Sequence, residues 1–137
     1  MKILYVDGGC SASNQKDINK RKMVYVVADE NGKILVEKTK DGGSCNIAEF
    51  YATLEALKWL KKRESASVKI ITDSMVNYWW TTRPIGKKRY AKMNDGTTVR
   101  KIKEEVDRLM KETFSRIEQQ PREINLAGHF IESKYGL

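Results

Sequence analysis

The chain has 137 residues, 40% of them hydrophobic, which suits one domain built on a single core. Lysines and arginines number 26 against 18 acids, and the net charge of +8 fits a polyanionic partner as well as it fits a plainly solvated surface. Cys10 and Cys45 lack metal-finger spacing and are too few for a disulfide framework, so both read as reduced thiols. The opening apolar run is too short for a signal peptide, and no stretch approaches the length of a membrane span. These features lead us to expect a cytoplasmic protein.

In chain order, Lys2 to Val6 predicts a buried strand ended by the turn-prone Asp7-Gly8-Gly9, and the polar stretch Ser11 to Lys20 predicts a loop. Lys22 to Ala28, rich in β-branched and aromatic residues, predicts a second strand. Asp29-Glu30-Asn31-Gly32 supplies a hairpin turn, and Lys33 to Thr39 returns as a third strand before Asp41-Gly42-Gly43. The period then changes. Ile47, Phe50, Tyr51, Leu54, Leu57 and Leu60 recur at helical spacing over 46–63, with Ser44 or Asn46 as cap and Glu49 expected in the first turn. Val68 to Thr72 predicts a short buried strand and Ser74 to Thr82 a short helix that Pro84 ends. Arg83 to Lys92 holds Arg83, Lys87, Lys88, Arg89 and Lys92 and no acid. Val99, Ile102, Val106, Leu109 and Met110 mark another helix, Phe114 to Gln120 a last strand, and Asn125 caps a closing helix through Tyr135.

Three strands on short turns form an antiparallel meander, and the strand–helix–strand unit that follows adds parallel neighbours. The fold class is therefore α/β, a mixed five-stranded sheet flanked by helices. In such a sheet Asp7 and Asp73 end neighbouring strands, and Glu49 overhangs them from the first helix. Each acid alone has an ordinary explanation as turn residue, helix-dipole partner or N-cap. Three at converging positions repel one another unless a cation joins them, and oxygen ligands suit Mg²⁺ or Mn²⁺.

Tyr-Val-Asp-Gly-Gly at 5–9, Asn46-Ile-Ala-Glu49 followed by Ala52 and Leu54-Glu-Ala-Leu57, and Ile71-Thr-Asp-Ser74 together resemble the ribonuclease H type 1 family over nearly the whole chain. The resemblance implies a single ribonuclease-H-like domain over 1–137. It also implies cleavage of the RNA strand of RNA–DNA hybrids with two Mg²⁺ or Mn²⁺ ions, leaving a 3′-hydroxyl and a 5′-phosphate. By position, Asp7, Glu49 and Asp73 would be catalytic metal ligands, with Asp7 shared between the ions.

A fourth family carboxylate is missing. If Gly128-His129 matches the family's Gly-His motif, the chain ends before the fourth Asp. The register we prefer matches Pro121-Arg-Glu-Ile-Asn125 to the Pro-Arg-Glu-x-Asn segment of shorter relatives, where the Asp follows the Asn by four residues; His129 stands there. His129, the only histidine, would act as a metal ligand or proton shuttle, or is a plain surface residue; Glu132 is a second candidate on the same helix face. Among substrate contacts, Asn46 matches a family residue that reads 2′-hydroxyls in the minor groove. Cys45 stands where a second Asn is usual, and Met75 where a Gln is common. Ser44 and Asn14 are candidate sugar or phosphate contacts. Trp79, Trp80 and the basic run Arg83 to Lys92, with Lys87, Lys88 and Arg89, are candidates for a DNA-strand groove, with one of the two tryptophans expected to be exposed. Trp59 is assigned to packing. The expected partner is an RNA–DNA hybrid, with no membrane and no obligate protein partner, the chain acting as a monomer. The alternatives are a hybrid- or duplex-RNA-binding module weakened by loss of the fourth Asp, and a related nuclease with a DNA substrate.

Overall fold

The computed structural model describes residues 2–11 and 21–137. Strands β1 (Ile3–Ser11), β2 (Lys22–Asp29), β3 (Ile34–Asp41), β4 (Lys69–Thr72) and β5 (Arg116–Gln119) form one sheet in the order β3-β2-β1-β4-β5. The first three pair antiparallel, and β4 and β5 add in parallel to β1. The mixed sheet expected from the order of elements is therefore the one formed.

Helices cover both faces. On one lie α1 (Cys45–Lys62), α2 (Met75–Thr82) and α4 (Gly96–Thr113), with the short α3 (Lys87–Lys92) packed on α4. On the other lies α5 (Leu126–Tyr135), against β1 and β2. Strand alternation sorts the side chains between the two faces. Leu4, Val6, Met23, Tyr25 and Val27 join the cluster built on Phe50, Leu57 and Leu60 of α1. Val24, Val26 and Ala28 meet Ala127 and Ile131 of α5. Ser44 caps α1 by accepting from the Ile47 amide at 3.3 Å, which settles the choice between Ser44 and Asn46. None of the described helices is long and apolar enough to cross a membrane.

Among the differences from expectation, which include a short helix over Lys87–Lys92 and a last strand that starts at Arg116 instead of Phe114, two bear on the site. Strand β1 does not end at Asp7-Gly8-Gly9 but runs through it to Ser11, because β2 offers backbone partners along its whole length: Asp7 pairs with Val26, Gly8 with Tyr25 and Gly9 with Val24. Glycines that read as a turn are here a thin stretch of strand. The first helix begins at Cys45, which moves Glu49 from the first turn to the second.

Gly8 has a specific reason to lack a side chain. A Cβ there would lie 2.3 Å from both the carbonyl carbon of Ala48 and the amide nitrogen of Glu49, so β1 touches the backbone of α1 at that point. Gly8→Ala must push strand and helix apart, and overpacking of this kind costs about 1–3 kcal/mol or more. Urea denaturation of the variant should show that loss; a midpoint equal to wild type would mean the contact is slack.

Candidate active site

The β1–β4 ladder aligns Tyr5 with Ile71 and stops there. Two residues further along each chain stand Asp7 and Asp73, so the strands part where the two carboxylates face each other. Glu49 reaches them from α1 at the point where Gly8 lets helix and strand meet. Carboxylate oxygens of Asp7, Glu49 and Asp73 all lie within 4.8 Å of one another. Asp7 is 1% and Glu49 9% exposed, so water screens this cluster little.

The charge is only partly answered. The Arg122 guanidinium stands 3.7 Å from Asp7 Oδ2 and 3.8 Å from Asp73 Oδ2. Asn125 donates from Nδ2 to Asp73 Oδ2 and to the Val6 carbonyl, both at 3.0 Å, while its Oδ1 accepts from the amides of Ala127 and Gly128 and starts α5. Asp7 Oδ1 is buried and receives no hydrogen bond from a fixed donor, and Glu49 can supply one only while protonated. Burial pushes the Asp7 carboxyl up to about 6, against the lowering effects of Glu49 and Arg122. Burial, with the shared proton and charge of Asp7, pushes Glu49 up to about 9. Asp73 is also raised by burial, though Arg122 and Asn125 work the other way. An orphaned buried oxygen in an all-oxygen donor set, with protons held where a cation would remove the repulsion, fits a hard divalent metal.

His129 and Glu132 are exposed on α5 and stand outside this group. The α5 residue that faces the acids is Gly128: a Cβ there would lie 3.2 Å from Asp7 Oδ2 and 3.4 Å from Asp73 Oδ2. Arg122, the Asn125–Asp73 bond and the proximity of Gly128 were not found from the sequence. The Pro-Arg-Glu-Ile-Asn segment is the sequence signal for Arg122 and Asn125, and the Gly128-His129 pair is that for Gly128.

The substrate candidates divide. Ser44, Asn46 and Trp80 line one groove of about 340 Å³ with Lys92 and Met93. Trp80 is only 8% exposed, its ring set edge-on against Phe50, so its outer edge alone reaches the groove. Trp79 is half-buried with Arg83 over its ring. Lys88 and Arg89 are exposed on α3, and Lys87 lines a separate depression beside α4. Trp59 packs against the core with Arg63 over its ring. Asn14 lies outside the described residues.

A mixed sheet in this order, with helices on both faces and a carboxylate cluster at the parting of its central strands, is a ribonuclease-H-like fold. The RNase H family model matches residues 1–129. Among solved structures, the chain is similar to RNase H1 of the halophilic archaeon Halobacterium salinarum NRC-1, with TM-score 0.63 and 19% identity over 92% of this chain and 89% of that one. It is also similar to LC11-RNase H1, isolated from compost by a metagenomic approach, with TM-score 0.65 and 20% identity over 95% and 91%. LC11-RNase H1 in complex with an RNA/DNA hybrid matches at TM-score 0.60 and 21% identity over 91% and 88%. No curated protein matches the chain. The chain belongs to the RNase H family.

The raised carboxyls fix a dependence on pH. The folded, metal-free chain holds protons on Asp7 up to about 6 and on Glu49 up to about 9, whereas the unfolded chain loses them near 3.8 and 4.5. The folded state therefore binds more protons in that window, and its stability falls as pH rises through it. The metal-free melting temperature should drop between about pH 5 and pH 9, and Glu49→Gln should flatten the decline. A wild-type profile as flat as that of the variant would contradict these shifts.

Proposed function

We propose that the chain is a metal-dependent endonuclease that hydrolyses the RNA strand of RNA–DNA hybrids and leaves 3′-hydroxyl and 5′-phosphate ends. The observation that carries this reading is the buried convergence of Asp7, Glu49 and Asp73 within 4.8 Å, in a chain of the RNase H family. Support for the substrate comes from the similar LC11-RNase H1, which has been solved with an RNA/DNA hybrid.

In this reading Asp7, Glu49 and Asp73 would hold two Mg²⁺ or Mn²⁺ ions. The ions, when bound, supply a water activated for attack and charge stabilisation at the leaving oxygen. The chain does the rest. Asn125, whose amide is anchored on the Val6 carbonyl, fixes the Asp73 carboxylate by the bond already described, so that it does not rotate as protons leave the site. Arg122, half-exposed, favours the ionised form of the Asp7–Asp73 pair and is a candidate to meet a phosphate. Asn46 and Ser44 read 2′-hydroxyls and sugar along the groove they line. The edge of Trp80, with Lys87, Lys88 and Arg89, takes the DNA strand, and Asn14 is a further phosphate contact. By the preferred register His129 takes the place of the fourth ligand, although it is exposed on α5 and not one of the three clustered acids.

Cleavage of the RNA strand in a hybrid should require Mg²⁺ or Mn²⁺ and should vanish in Asp7→Asn or Asp73→Asn. Intact hybrid after incubation of wild type with either metal would sink the reading. It would favour the second one, a hybrid-binding module, for which the exposed position of His129 outside the carboxylate group speaks. Equal cleavage of double-stranded DNA would point to the third.

His129→Asp restores the family residue and should raise the rate in Mg²⁺. An unchanged rate and unchanged metal preference would place His129 outside the chemistry. Hybrid binding should also weaken steeply with salt, since lysines and arginines that pair with phosphates release counterions.

A further inference from the structure

The cleavage chemistry leaves Cys10 and Cys45 unused. Cys10 is buried near the end of β1, and Cys45 is the exposed first residue of α1. On β1, Leu4 and Val6 point to the α1 side, so Gly8 and Cys10 share that face by strand alternation. Gly8 meets α1 at Ala48 and Glu49; two residues further along β1 and one turn back along α1, the same contact line reaches Cys10 and Cys45. The segment before the helix closes over this point. Gly43, at φ +79°, lies directly on Met23, and Met23 is the cross-strand partner of Cys10. Burial pushes the Cys45 thiol up to about 11, and the neighbouring Cys10 thiol adds to that rise.

We propose that Cys10 and Cys45 are a reversible cross-linking site that takes a low-molecular-weight disulfide as its oxidant, and that the closed clasp slows hybrid cleavage. The second half rests on the proposed nuclease function. The exposed Cys45 attacks first: its thiolate displaces one thiolate from the small disulfide and forms a mixed disulfide. Cys10 then attacks the Cys45 sulfur and expels the second. Two protein thiols and one small disulfide become one protein disulfide and two small thiols, the two protein protons leaving with them. Drawing the two sulfurs to bonding distance pulls the start of α1 inward. Ser44 and Asn46, the chain neighbours of Cys45, line the groove, so the clasp displaces both where they would meet the substrate.

The test incubates the reduced full chain with excess glutathione disulfide for hours, because a thiol protonated at neutral pH exchanges slowly. Intact mass should fall by two hydrogens, and both free thiols should disappear. The melting temperature should rise by about 10 °C as the loop is closed in the unfolded chain. Cleavage should slow roughly tenfold, given what small misplacements cost. Dithiothreitol should reverse all of it, and Cys45→Ser should show none of it. A stable glutathione adduct on Cys45, disulfide-linked dimers or an unchanged mass would overturn the clasp. A clasped chain that cuts at full rate would overturn its effect on cleavage. A reduced wild type that cuts nothing fails the nuclease reading instead, and the mass measurement still judges the cross-link.

Discussion

The architecture turns on one contact between two backbones. Where Gly8 crosses α1 there is no room for a methyl group, so strand and helix approach as closely as main chains can. That approach lets residues on either side of the crossing, Asp7 in the strand and Glu49 in the helix, bring their carboxyls together. Phe50, Ala52 and Leu57 then fill the space along the rest of the interface. A larger residue at position 8 would separate the two elements and the two acids together.

What the contact brings together is unfavourable by itself. Burial and mutual repulsion both work against ionising three acids in so small a space, and they raise the carboxyls of Asp7 and Glu49. The surrounding groups reduce it without removing it. Arg122 lends a charge from its exposed side, and Asn125 donates to Asp73, yet one oxygen of Asp7 is left unsatisfied. Such an arrangement is costly for folding and favourable for cation binding, since the energy withheld by repulsion is recovered when a divalent ion enters. Tension of this kind is a recurrent mark of working sites.

Much of this was legible in the sequence. The order of elements, the apolar periodicity of α1 and α4 and the three acids at strand and helix positions led to the mixed sheet and to the cluster. What escaped has physical causes. Asp7-Gly8-Gly9 read as a turn because local propensity favours one, whereas pairing with Val26, Tyr25 and Val24 of β2 overrides it. Asn125 was recognised as a helix cap, but its second bond, to Asp73, depends on how α5 docks on the sheet and leaves no local trace. Arg122 was hidden for the same reason. Trp80 was legible as an aromatic beside a basic run, but not as a side chain whose ring is mostly spent on packing with Phe50.

The bond from Asn125 to the Val6 carbonyl spans 119 residues. The site thus draws on β1, α1, the end of β4 and the start of α5, nearly the full length of the chain, and β4 and β5 join the sheet only through non-local parallel pairing. Contacts of such long sequence separation form late, because the loops between them must close first. During synthesis, the first three strands and α1 can pair while the chain still lacks Asp73 and Asn125. A nascent chain therefore carries Asp7 and Glu49 before Asp73 is made, and the Asn125 bond that fixes Asp73 can form only once nearly the whole chain is present.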